Sequence, residues 1–257
     1  LMLICVCLTT HLQAQSISLP PSGDNQKSSV TQWMGLASVT ITYNSPNVTG
    51  PRGEDRKGHI WGEVVHYGFI DQGFGTSKAA PWRAGANENT TITFSHDVTI
   101  GGKELKAGTY GLFLDVEKEG SWYWIFSSAS TNWGSYFYDP KQDVLRVATQ
   151  PVDAAYTEYL TFGFDDRELN STTAFLQWDN KRIPFKIEVP NGIQLYVDKI
   201  RSELHGERTG FIYQPWVEGI LFCVQYNLNL EEALTWADVA ITEPFIGREN
   251  FATLQAK

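Results

Sequence analysis

Residues 81–95 concentrate side chains that could recognise a small molecule. Trp82 offers an aromatic plane, Arg83 a forked cation, and Asn87 and Glu88 an amide and a carboxylate. An arginine can hold a carboxylate or hydroxyl groups through parallel hydrogen bonds, and an aromatic ring can stack on a sugar or another planar group. We therefore predict that this run binds a small molecule or a carbohydrate.

Four side chains outside this run are candidates for the walls of the same site. His66 and Tyr67 precede the run, whereas Trp133 and Tyr138 follow it in an aromatic segment. A tryptophan such as Trp133 would stack on a sugar ring or an aromatic group. We expect these side chains to line the site together with those of residues 81–95.

The same residues also permit a purely structural interpretation. Arg83 and Glu88 could pair and brace the loop, because buried charges are usually paired, while Trp82 fills the core of the protein. The sequence leaves the binding site and the internal brace open as alternatives, and it identifies no catalytic residue.

A pair of carboxylates would instead indicate a hydrolase. Glu88 could work with Glu63 or Asp71 as acid and base, as in glycoside cleavage, and His66 or His96 could be a general base. No spacing selects a pair, and the nucleophile-elbow pattern is absent from the sequence. Hydrolysis of a glycan-type substrate is the alternative to binding alone.

His59, Glu63 and His66 raise the question of a metal site. On a helix, their offsets would place all three side chains on one face. Glycines before, within and after this run oppose a helix, and in a strand His66 would point away from the other two. We therefore expect neither a metal nor a cofactor.

A β-sheet domain is predicted to position these side chains. Residues 91–95 alternate as a strand directly after the run, and roughly ten short strands follow one another between residues 28 and 190. This spacing predicts an antiparallel β-sandwich or a barrel-like domain. Gly101-Gly102 predicts a tight hairpin, and residues 179–181 predict another, between strands at 172–178 and 182–189.

The pattern becomes helical in residues 191–257, where we expect a small region of repeat-like helical hairpins. Pro215 is expected to begin the second helix, with a buried stripe of Val217, Ile220, Leu221 and Val224. A third helix is predicted at residues 230–242 and a further one at residues 250–257. We expect this region to be truncated at its end.

The helical region could also dock a protein partner, which would make the sandwich a scaffold. A groove lined by Trp216, Phe222 or Trp236 would support that alternative.

Charge and leader composition restrict the function classes. The net charge of −9 disfavours nucleic acid as a partner, and no apolar run is long enough to span a membrane. Residues 1–14 are interpreted as the end of a signal peptide, truncated upstream and cleaved after Ala14, and residues 15–27 as a flexible lead-in. We expect a periplasmic or secreted protein whose remaining cysteine, Cys223, is a buried core residue.

Three motifs together resemble the domain of unknown function 2911 family. They are residues 82–91 (WRAGANENTT), residues 105–113 (LKAGTYGLF) and the segment from Trp133-Gly134 through Tyr138-Asp139-Pro140 to residues 143–147 (DVLRV). The resemblance covers about residues 28–190. It implies an exported protein of a Gram-negative bacterium, and it brings no established activity or catalytic residue with it.

Overall fold

A computed structural model of the chain describes residues 25–206 and 213–242. The strands are β1 (Gln26–Met34), β2 (Ala37–Ser45), β3 (Thr91–Phe94), β4 (Val98–Ile100), β5 (Lys103–Leu105), β6 (Gly108–Asp115), β7 (Trp122–Ser127), β8 (Asp143–Thr149), β9 (Val152–Asp165) and β10 (Ser171–Glu188). The helices are α1 (Gly192–Leu204), α2 (Tyr213–Tyr226) and α3 (Leu230–Thr242). The expected signal-peptide remnant, residues 15–24 of the expected lead-in and the expected last helix lie outside the described residues.

The described strands form two antiparallel sheets. Six strands are ordered β1-β2-β3-β6-β7-β8, and four are ordered β5-β4-β10-β9. The two sheets share one core, in which Trp124 contacts Phe162 and Phe185 with ring centroids 6.2 and 5.0 Å apart. The predicted antiparallel sandwich is confirmed, and the sheets do not close into a barrel.

One of the two predicted hairpins is present and the other is wrong. Gly101 and Gly102, with φ of 58° and 75°, link β4 to β5 through the left-handed turn expected of this pair. Residues 171–188, in contrast, form the single strand β10, which pairs with β9 on both sides of Asp179. The φ of 51° at Asp179 coincides with register shifts instead of a chain reversal, because β9 continues alongside.

The helical region follows the sandwich as predicted, but the buried stripe of α2 is partly wrong. Val217 is buried, whereas Leu221 and Val224 are 57% and 59% exposed. The inward line runs instead through Trp216, Gly219 and Cys223. This rotation follows from close packing: a Cβ at Gly219 would lie 2.9 Å from the Ile200 side chain of α1 and 3.3 Å from the Trp236 ring of α3.

A long connection, residues 46–90, joins β2 to β3 and builds the candidate site. Isolated bridges hold it, joining Ile70 to Ala80 and Trp82 to Leu114 of β6. Residues 59–68 form turns and bridges in place of a regular helix or strand, with φ of 96° at Gly62 and 62° at Gly68. The connection is therefore anchored to the six-stranded sheet immediately before residue 83.

Candidate functional site

A cavity of about 320 Å³ lies between the connection and β10, and we call it the central pocket. His66, Trp82, Arg83 and Asn87 are among the residues that line it. Half of the predicted site residues therefore surround one cavity. Tyr67, Glu88, Trp133 and Tyr138 are not part of its lining.

Tryptophan rings form one wall of the central pocket. Trp82 stacks on Trp178 of β10 with ring centroids 6.1 Å apart and planes inclined by 14°, and Trp61 meets the Trp82 ring edge-on at 5.8 Å. Two backbone hydrogen bonds to Leu114 fix Trp82 at 3.1 and 2.9 Å. Because Trp82 is only 8% exposed, most of its ring belongs to the core and little of it can reach a ligand.

The turn after Trp82 depends on two left-handed residues, Ala84 with φ of 48° and Asn87 with φ of 56°. The Thr90 hydroxyl donates a hydrogen bond to the Ala84 carbonyl at 3.0 Å, which stabilises this uncommon backbone. Across the turn, Nη1 of Arg83 donates to the Asn87 carbonyl at 2.8 Å. The guanidinium carbon lies 4.8 Å from the centroid of the Tyr136 ring.

Arg83 and Glu88 do not form the internal brace that the sequence left open. Arg83 has no ion pair with any described carboxylate, in contrast to Arg146 and Arg201, which do. Glu88 is exposed and accepts a hydrogen bond from Nδ2 of Asn44 at 2.7 Å. The central pocket therefore contains a guanidinium whose positive charge has no carboxylate partner among residues 25–206 and 213–242.

His66, which lines the central pocket, has one ring nitrogen, Nε2, that can accept a hydrogen bond. Its Nδ1 donates to the Gly68 carbonyl at 2.9 Å, so the neutral ring carries its proton there and Nε2 is an acceptor. Burial lowers the pKa of His66, and the charge of Arg83 lowers it further. Both Nε2 of His66 and Oε1 of Gln72 are buried without a hydrogen-bond partner in the described part of the chain. Orphaned acceptors of this kind are uncommon in folded proteins and call for a donor.

Glu88 lines a different cavity, which we call the polar pocket, with a volume of about 230 Å³. Lys27 of β1, Asn44 of β2, Asn89 and Asn132 also line it. Consecutive residues Asn87 and Glu88 thus face separate cavities, because the left-handed backbone at Asn87 redirects the chain.

The remaining predicted residues have other surroundings. The Tyr67 hydroxyl donates to the Trp61 carbonyl at 3.1 Å, and the Trp133 ring is half exposed. Tyr138 is buried, and its hydroxyl donates to Asp143 at 2.6 Å and accepts from Arg146 at 2.8 Å. Tyr138 therefore belongs to a hydrogen-bonded cluster outside the central pocket.

The sequence interpretation missed several lining residues. Gln72 lies in a segment without a pattern, and Trp178 was assigned only to a strand. Asn44 and Asn89 border the polar pocket, and Asn89 stood inside the motif without a role. The available signal was a pair of asparagines, Asn87 and Asn89, just before a strand, and this signal is too general to be assigned to a cavity.

The acidic residues considered for hydrolysis are dispersed. Glu63 bonds to His59 at 2.8 Å on the surface, and Asp71 pairs with Lys78 at 3.1 Å. No Asp or Glu lines the central pocket among the described residues. Within the same residues, no group of three or more His, Cys, Asp or Glu could hold a metal ion.

The helical region does not present its tryptophans as a docking groove. Trp216 and Trp236 are buried between the helices, and Phe222 is partly buried. A shallow cavity of about 230 Å³ between α1 and α2 is lined by Ile200, Pro215 and Phe222. No helix in the described part of the chain has the length and apolar character needed to cross a membrane.

Comparison with known proteins yields one match. A family model described as "Protein of unknown function (DUF2911)" matches residues 25–187, which include all ten strands described above except the last residue of β10. No curated protein and no solved structure matches the sequence.

Proposed function

This chain belongs to the DUF2911 family of proteins of unknown function, and we propose that its sandwich is an exported module that binds a small hydroxylated carboxylate, such as a sugar acid. The observation that carries the proposal is Arg83, a guanidinium that lines a cavity and has no carboxylate partner among the described residues. A ligand carboxylate would supply that missing partner.

The other walls of the central pocket fit the rest of such a ligand. Nε2 of His66 and Oε1 of Gln72 are acceptors that no described residue donates to, and ligand hydroxyl groups would donate to them. The exposed Val64 side chain and the small accessible edge of Trp82, both in the lining, supply apolar surface for the carbon skeleton. A volume of about 320 Å³ suits a single sugar-sized molecule.

The proposal is tested with glucuronate and glucose, which have similar rings and differ in charge. Isothermal titration calorimetry should detect glucuronate and should give weaker or no binding for glucose. Arg83→Ala should weaken glucuronate binding at least tenfold, since a charge-assisted hydrogen bond contributes about 1.5–3 kcal/mol. The control is Arg52→Ala, which removes an exposed arginine outside the pocket lining.

Two outcomes would count against this function. If Arg52→Ala and Arg83→Ala weaken binding equally, the attraction is a general surface effect. If neither glucuronate nor a wider panel of small hydroxy acids binds the wild-type protein, the central pocket is not a carboxylate site.

The acidity of His66 gives the binding a defined pH dependence. Because burial lowers its pKa, the neutral acceptor persists below the ordinary histidine value of about 6.5. Affinity for glucuronate should be constant from neutral pH to about 6.5 and should fall only on further acidification. His66→Gln should remove this fall, whereas tighter wild-type binding at acidic pH would contradict the neutral-acceptor role.

Export is the second part of the proposal, and it rests on the sequence of residues 1–14. Mass spectrometry of the protein from the periplasmic fraction of its native host should find a mature N-terminus after Ala14. Recovery of the uncleaved segment from the cytoplasm would overturn this location.

A further inference from the structure

The polar pocket is built on the outer face of the six-stranded sheet. Lys27 pairs with Asn44 across β1 and β2, and Thr42 pairs with Thr91 across β2 and β3. Because side chains two residues apart in a strand share a face, Thr42 and Asn44 point the same way. The floor is therefore a rigid strand surface with polar side chains in fixed register.

The far wall of the polar pocket is the loop after β7. Ser130, Thr131 and Asn132 line it, and two bonds from Asn89 tie this loop to the motif. The Asn89 backbone N–H donates to the Asn132 carbonyl at 3.2 Å, and Nδ2 of Asn89 donates to the Ala129 carbonyl at 3.0 Å. The motif and this loop are thus held together by one backbone and one side-chain hydrogen bond from Asn89.

Two acceptors in the polar pocket are incompletely used. Asn89 is 7% exposed, and its Oδ1 is buried with no hydrogen-bond partner among the residues that the structure describes. Oε2 of Glu88 is held by Asn44, which orients the carboxylate. Oδ1 of Asn89 is therefore a buried acceptor that calls for a donor, whereas the exposed Glu88 carboxylate is oriented and can accept further hydrogen bonds.

The mixture of groups selects a ligand class. One carboxylate and one amine, Glu88 and Lys27, balance each other, which disfavours a strongly charged ligand, and a single carboxylate is too few for a typical calcium site. The remaining lining side chains are mainly hydroxyls and amides, which both donate and accept.

We propose that the polar pocket is a second binding site, which takes the hydroxyl groups of a neutral carbohydrate. Sugar hydroxyls would donate to Oδ1 of Asn89 and to Glu88, and would accept from Lys27 and the threonines. This inference does not depend on the central pocket, because the two cavities have separate linings.

The test uses neutral trisaccharides of glucose, mannose and N-acetylglucosamine with the full chain. Saturation-transfer NMR should detect at least one of them, and calorimetry should give its affinity. Thr131→Trp places a bulky ring at an exposed position in the pocket and should weaken binding at least tenfold. Thr161→Trp, at an exposed threonine on β9, is the matched control and should bind as the wild type does.

Glu88→Gln is a second, nearly isosteric variant that protects the test against misfolding. It should also weaken the neutral trisaccharide about tenfold, with an unchanged far-UV circular dichroism spectrum. The proposal is overturned if no trisaccharide binds the wild type, or if Thr131→Trp and Glu88→Gln bind as tightly as it does.

Arg83→Ala separates the two sites. It should weaken glucuronate binding at least tenfold and leave trisaccharide binding intact. If it abolishes trisaccharide binding while Thr131→Trp does not, the sugar occupies the central pocket and the second site is refuted. If a trisaccharide binds the wild type but glucuronate does not, only the proposed carboxylate site in the central pocket is refuted.

Discussion

Arg83 and Arg146 are two arginines of one sandwich in contrasting surroundings. Each guanidinium lies over an aromatic ring, with Arg83 4.8 Å from the Tyr136 centroid and Arg146 5.3 Å from the Phe69 centroid. Arg146 also donates to Asp143 at 2.9 and 2.7 Å. Within residues 25–206 and 213–242, Arg83 donates only to a backbone carbonyl, at 2.8 Å.

The difference separates a structural role from a binding role. Arg146 neutralises a carboxylate whose side chain is only 8% exposed, and together with Tyr138 it closes a cluster over β7. The charge of Arg83 has no such counterpart among the described residues, although the guanidinium is held in place. An oriented but unpaired cation beside a cavity is what an anionic ligand requires.

The largest expected change in stability is for Arg146→Ala. It would leave Asp143 without its cation and remove the hydrogen bond to Tyr138, so the free energy of unfolding should fall by about 2–3 kcal/mol, allowing for the partial exposure of Arg146. Urea denaturation measures this change. Lys106→Ala, which breaks the exposed pair with Asp97, should have a much smaller effect. If Arg146→Ala and Lys106→Ala lower the free energy of unfolding equally, Arg146 has no special structural role and its contrast with Arg83 disappears.

Asp115 is a second carboxylate that the charge of Arg146 affects, and its titration makes the stability of the protein depend on pH. Burial, with a smaller contribution from Glu117, raises the pKa of Asp115 to about 6, while the charge of Arg146 opposes this rise. The folded state therefore binds this proton more tightly than the unfolded state does, and stability from this group falls as pH rises from about 4 to about 6. The loss should be about 2 kcal/mol, because two pKa units set an upper limit of about 3 kcal/mol.

Asp115→Asn should remove that decrease and make the protein more stable than the wild type above pH about 6. Urea denaturation at several pH values between 4 and 8 follows both proteins. Parallel pH profiles for the two would show that Asp115 does not titrate as described.

Tyr138→Phe should have a smaller effect than Arg146→Ala. It removes a hydroxyl that bonds to Asp143 and Arg146 but retains the ring packed against Phe113, so we expect a loss of about 1 kcal/mol. Calorimetry of thermal unfolding measures it. Glucuronate binding should be unchanged, and a clear loss of binding would place Tyr138 at the ligand after all.

The smallest change in stability is expected for Arg83→Ala. One hydrogen bond to a carbonyl and one ring contact are removed, and no carboxylate loses its partner, so the change should stay below about 1 kcal/mol. The same variant should still lose glucuronate affinity at least tenfold. A large loss of stability without any effect on binding would show that Arg83 stabilises the turn through Asn87 and does not bind the ligand.

The fold was predictable because its signals are local. Alternation identified the strands, and Gly101-Gly102 identified a turn that only glycine-like backbones adopt easily. Asp179 misled the interpretation, since the same left-handed backbone serves in a turn or in a bulge and the choice depends on whether a neighbouring strand continues. The neighbouring strand here is β9, and the sequence of residues 179–181 does not reveal that β9 continues beside them.

The candidate site was only half predictable for a related reason. Trp82, Arg83 and Asn87 are close in sequence and stay close in space. Glu88 turns to another cavity because of a single backbone angle at Asn87, which sequence proximity does not reveal. Gln72 comes from a distant segment, and its role depends on an absent hydrogen-bond partner, a property that only the three-dimensional arrangement defines.

Gly134 has a consequence for any attempt to engineer this protein. With φ of 58°, it lies so close to Arg83 that an added Cβ would be 2.3 Å from Nη1. An alanine there would push the guanidinium aside without altering a single residue of the pocket lining. The position of the Arg83 guanidinium thus depends on the absence of a side chain at residue 134. Gly134→Ala would displace this cation and weaken ligand binding while every recognition group stays chemically unchanged.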